Sequence, residues 1–178
     1  MKLIAIAVIE YLLGFFALAV FAAYAFAQGA PTDERFVNAF KLGACVAAVE
    51  LVILFLKKPL ANRLIIGANI WLLVAGFAAF TEQWWVLRGY QSFGEASLFV
   101  AMLLVGLVAT VALPGGFVAT VGPRRKVLLA SSVLLTAVVV ALFLAVAFRG
   151  NTKFAAVLPV IGLSWLNRAL QRFAASAA

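Results

Sequence analysis

The chain has 178 residues and a formal net charge of +8; 67% of its residues are hydrophobic, 11% are charged and none is histidine. A soluble domain carries about 45–50% apolar and about 25% charged residues, so this composition predicts a single membrane domain with lipid as the solvent for most of the chain. The missing histidine excludes His-ligated haem, His-containing zinc sites and Ser-His-Asp or Cys-His catalysis, and Cys45, the one cysteine, excludes an intrachain disulfide.

Apolar runs predict an all-α, polytopic integral membrane bundle of six transmembrane helices, with spans near 3–27, 33–56, 64–80, 93–113, 124–148 and 152–172. The first run follows Lys2 and ends in Ala25-Phe26-Ala27 before Gln28, which is similar to a secretory signal with its cleavage site. It is longer than the roughly 7–15 apolar residues of such a signal and contains Glu10, so it reads as a retained first span.

Helix 2 begins at Pro31-Thr32-Asp33-Glu34, with Thr32 as N-cap and two acids in the first turn. Lys41 lies near its outer end, where a long side chain snorkels. Asn62 is positioned to cap helix 3. Ser92-Phe93-Gly94-Glu95 fits a capping box opening helix 4, and Asn151 or Thr152 caps helix 6. Pro59, Pro114 and Pro123 fall in connections, whereas Pro159 lies inside segment 6 and predicts a kink. Asn167, Arg168, Gln171 and Arg172 make the second half of that segment polar, so five spans plus an interfacial helix is the alternative architecture.

Nine of the 14 basic residues, among them Lys57, Lys58, Arg63, Arg124, Arg125 and Lys126, fall on one side of this arrangement. The positive-inside rule then makes both termini cytoplasmic, in a bacterial-type cytoplasmic (inner) membrane. Because the basic residues occupy breaks between apolar runs, they predict no nucleic-acid partner. The predicted partners are membrane lipids, and further copies of the chain or other membrane subunits.

Charged groups within hydrocarbon are costly and mark function or pairing. At 1.5 Å per helical residue, Glu10, Glu50 and Asn69 lie about 12, 10 and 9 Å from the cytoplasmic ends of their helices. With Ser132 of segment 5 (beside Ser131) and Ser164 of segment 6 they form a candidate polar layer in the inner half of the membrane. Its functional reading is a proton or cation site; its structural reading is a protonated carboxyl, or an ion pair with Arg63 or Arg168, that joins helices.

Trp84, Trp85, Arg88 and Tyr90 form a candidate outer aromatic belt or docking loop. Arg124, Arg125 and Lys126, after the flexible Pro114-Gly115-Gly116 linker, are candidate contacts for anionic lipid. Small-residue pairs such as Gly43/Ala47 and Ala44/Ala48 permit close helix contact, with Cys45 packed among them. No cofactor or catalytic motif is present in the sequence: Gly115-Gly116 precedes no Walker Gly-Lys-Ser/Thr, and acids at metal-binding helical spacing are missing. The expected function is a small transporter, channel or carrier component using the Glu/Asn layer. A non-catalytic accessory or scaffold subunit of a larger membrane complex is the alternative.

Overall fold

The computed structural model describes residues 15–27, 29, 32–57 and 62–175. Numbered among these, the helices are α1 Phe16–Phe26, α2 Asp33–Lys57, α3 Arg63–Phe80, α4 Trp84–Phe93, α5 Ala96–Ala112, α6 Arg124–Ala147 and α7 Leu158–Ala175, the last preceded by a π-helical turn Lys153–Val157. The described residues contain no strand. Lys2, Glu10 and the first part of the predicted first span lie outside them.

Asp33–Leu56, Arg63–Phe80 and Arg124–Ala147 are long and apolar enough to cross a membrane. A fourth span is present if α4 and α5, broken at Gly94–Glu95, form one bent crossing. The chain is thus an all-helical, membrane-embedded protein with three to four candidate spans.

Helix starts follow local chemistry at two of the predicted caps. Thr32 Oγ1 accepts the Arg35 N–H at 3.3 Å, and Asn62 Oδ1 accepts the Leu64 N–H at 3.1 Å, each satisfying a donor that the first turn leaves unpaired. The capping box at Ser92 does not form. Instead α4 runs through Ser92 to Phe93, and Gly94 takes φ +56°, a left-handed conformation that breaks the helix. Glu95 precedes α5 without a side-chain capping bond, and the Ser97 hydroxyl bonds back to the Gly94 carbonyl at 2.7 Å. Thr152 likewise makes no capping bond. Next to Pro159, where the sequence predicts a kink, a π turn precedes the helix: the Leu158 N–H bonds Lys153 O, five residues back, just before the residue that has no N–H to offer.

The chain divides into two compact units. The first comprises Met1–Pro59 and Ala68–Tyr90. Its core is aromatic. Phe21 and Phe36 each lie within 6 Å of Phe40 or Trp71, with Phe21–Phe40 and Phe36–Phe40 centroids both 4.7 Å apart. Small residues bring α2 and α3 together: a Cβ at Gly76 would collide with the Ala44 side chain and stand 2.9 Å from the Phe40 carbonyl oxygen. Cys45, expected within this packed face, is exposed, because the contact runs through Ala44 and Ala47 while Cys45 and Ala48 point outward. The Lys41 ammonium lies 5.7 Å from the Phe80 ring centre.

The second unit comprises Leu60–Gly67 and Gln91–Ala178. Its central helix is α6, whose buried face of Val127, Ala130, Ser131, Leu134, Val138, Ala141 and Ala145 packs against α5 and α7. The segment read as a flexible linker is in fact a folded turn. Gly115 to Ala119 are buried, Phe117 and Val118 completely so. Ser131 Oγ accepts the Phe117 N–H at 2.9 Å, supplying the partner that a buried loop amide requires.

Candidate intramembrane polar site

Glu50 lies on α2 and Asn69 on α3, both in the first unit. The two side chains are 9% and 1% exposed. Glu50 Oε2 accepts the Ala17 N–H of α1 at 3.3 Å. The Asn69 amide also reaches the Glu50 carboxyl and interacts with it, yet Glu50 Oε1 and Asn69 Nδ2 are each buried without a hydrogen bond of good geometry. The acceptor and the donor thus face one another in a contact that falls short of a well-formed hydrogen bond. Such a pair accommodates a proton on the carboxyl, or a small species that both accepts and donates. Within a membrane, where water cannot compensate, each unfilled buried group costs about 1–3 kcal/mol.

The remaining layer residues fare differently. Glu10 lies outside the described residues. Ser132 is exposed and returns its hydroxyl to Leu128 O on its own helix at 3.0 Å. Ser164 is buried but bonds to Val160 O in the same manner at 2.8 Å. Both serines belong to the second unit. The geometry therefore brings together Glu50 and Asn69 from the predicted set. Sequence reasoning missed the third partner, the Ala17 N–H, because a main-chain donor carries no residue signature. It also favoured Ser132 over Ser131; α6 is apolar all round, so no periodicity distinguishes its faces.

The aromatic belt divides as well. Trp84 and Trp85 are exposed, and Trp85 Nε1 donates to Gln83 Oε1 at 2.9 Å; Arg88 is also exposed. Tyr90 turns into the first unit's core, 5.6 Å from both the Trp71 and Phe40 ring centres, and its hydroxyl donates to Trp71 O at 3.3 Å. Its ring thus packs against aromatic neighbours while its hydroxyl is satisfied.

Among the three basic lipid candidates, the Arg124 guanidinium closes the end of α5. It donates to Thr110 O, Leu113 O and Pro114 O at 3.2, 2.7 and 3.1 Å, meeting carbonyls that a helix C-terminus leaves open. Lys126 lies over the Phe173 ring, 5.6 Å from its centre. Arg125 is exposed. Among the described residues, no group of acids and cysteines is arranged to hold a metal ion.

No family model matches the sequence, and no curated protein or solved structure is similar to it.

Proposed function

We propose that this chain is a small transporter, channel or carrier component that uses the Glu50 carboxyl, positioned beside Asn69, to bind a proton or small cation within the membrane. The observation that carries this reading is a buried carboxyl on Glu50 in contact with the Asn69 amide without a well-formed hydrogen bond, both deep in apolar helices. A carboxyl serving only to join helices gains most when all its hydrogen-bonding capacity is closed. Here one oxygen is held by Ala17, which fixes the group, while the looser contact with Asn69 leaves the carboxyl able to take up a proton.

The fuller topology belongs to the same proposal: six spans with both termini on the cytoplasmic side. The concentration of basic residues supports the orientation. The sixth span is supported by the way α7 distributes its polar groups. Asn167 is buried and Gln171 donates to Val118 O at 2.8 Å, while Ile161, Trp165 and Phe173 are exposed, as is Arg172 near the helix end.

The test is proton uptake into liposomes containing the purified chain, reported by an entrapped pH-sensitive dye under an imposed potassium diffusion potential. Glu50→Gln removes the titrating group while keeping its shape, and abolishes uptake without unfolding the protein. Equal uptake by both proteins, or none by the wild type, overturns the proposal; the second result favours an accessory subunit.

A further inference from the structure

Asn62 Oδ1 accepts two hydrogen bonds, from the Leu64 N–H at 3.1 Å and from Asn167 Nδ2 at 3.3 Å. Only an oxygen can accept the Leu64 N–H, so the orientation of the Asn62 amide is determined by helix capping. Asn167 must then present its nitrogen to Asn62 and its oxygen elsewhere. That oxygen is buried without a partner, in a side chain 1% exposed. Beside Asn62 in the chain stands Arg63, 7% exposed, whose Nη1 is also buried and unpartnered. All these residues belong to the second unit.

A guanidinium cannot escape burial by losing its proton, and a buried charge without a counter-charge is among the costliest groups a protein can hold. Arg63 therefore calls for an anion. The first turn of α3 favours the same sign, since unpaired N–H groups and the helix dipole concentrate positive potential there. Asn167 Oδ1 calls for a hydrogen-bond donor. Arg63 is the first residue of a helix able to cross a membrane, and headgroups lie at the depth where spans begin.

We infer that Arg63 and Asn167, linked through Asn62, form a binding site for a phosphate ester that also carries a hydroxyl or ammonium hydrogen, as a phospholipid headgroup does. The phosphate takes the Arg63 guanidinium and the headgroup hydrogen takes Asn167 Oδ1. A choline headgroup has the phosphate but no such hydrogen. This requirement makes the site selective among lipids, and it is independent of the Glu50–Asn69 proposal.

The test is lipid binding to the full chain in detergent, followed by native mass spectrometry and by lipid-induced shifts in melting temperature. Phosphatidylglycerol and phosphatidylethanolamine are expected to bind more tightly than phosphatidylcholine. Arg63→Gln weakens phosphatidylglycerol binding by about tenfold or more, the effect of losing a charge-assisted hydrogen bond. Asn167→Leu removes the preference for phosphatidylglycerol over phosphatidylcholine. Arg63→Lys keeps the charge and part of the binding, which separates loss of the site from loss of the fold. Stabilisation by glycerol 1-phosphate alone supports the site with a soluble phosphate ester as occupant, whereas stabilisation confined to the lipid arms supports a headgroup. Equal binding of phosphatidylglycerol and phosphatidylcholine by the wild type, or unchanged affinity in Arg63→Gln, overturns the inference.

Discussion

Glu50 Oε2 accepts the Ala17 N–H at 3.3 Å, a contact between residues 33 apart in the chain that ties α1 to α2. Glu50 is thus a structural anchor as well as the candidate ion-binding group, and variants at this position separate the two roles. Glutamine keeps an acceptor for Ala17; leucine keeps only the approximate volume. Glu50→Leu is expected to lower stability by about 1–3 kcal/mol by stranding the Ala17 donor. Glu50→Gln should stay within about 1 kcal/mol of the wild type because the bond to Ala17 is retained. Reversible unfolding in mixed micelles measures both. Equal losses would show that the charge, rather than the bond to Ala17, holds the helices.

The adjacent serines of α6 provide a second comparison. Ser131 Oγ receives the Phe117 N–H at 2.9 Å and lies 3.5 Å from the Val118 nitrogen, whereas Ser132 is exposed and bonds only along its own helix. Ser131→Ala leaves buried amides in the 114–119 turn without their partner and should cost about 1–3 kcal/mol. Ser132→Ala should change stability by less than about 0.5 kcal/mol. Hydrogen exchange at Phe117 reports the same difference locally, with protection lost in the Ser131 variant alone.

Gly76 offers a third test. Its missing Cβ leaves room for Ala44 and the Phe40 carbonyl, so Gly76→Ala forces α2 and α3 apart and should cost about 1–3 kcal/mol as overpacking. Ala44→Gly introduced into that variant removes the colliding side chain and should recover a substantial part of the loss. A melting-temperature series over the two single variants and the double variant measures the coupling. Simple additivity would place the strain elsewhere.

Much of the helical plan is legible from apolar runs and caps. The expected spans at 33–56, 64–80 and 124–148 correspond to Asp33–Lys57, Arg63–Phe80 and Arg124–Ala147, and Thr32 and Asn62 cap as their chemistry predicts. The Ser92 box misleads because the preceding aromatic stretch is itself helical, so its serine lies within α4 and the turn falls at Gly94. The linker at 114–119 misleads because glycine permits tight burial as readily as flexibility, and only Ser131, contributed by the next helix, shows which applies.

The sequence alone determines that this chain is helical, that lipid is its solvent, and where its principal apolar helices begin and end. Those properties depend on composition, run length and contacts within a few residues. The tertiary structure decides which face of each helix turns inward: Ser131 rather than Ser132, Ala44 rather than Cys45, Tyr90 packed and Trp85 exposed. Lipid and protein interior are similarly apolar, so a membrane helix need not advertise its packed side by hydrophobic periodicity. The pairing of Glu50 with Asn69 depends on that choice of faces, and so do the burial of Arg63 and the turning of Asn167 toward Asn62.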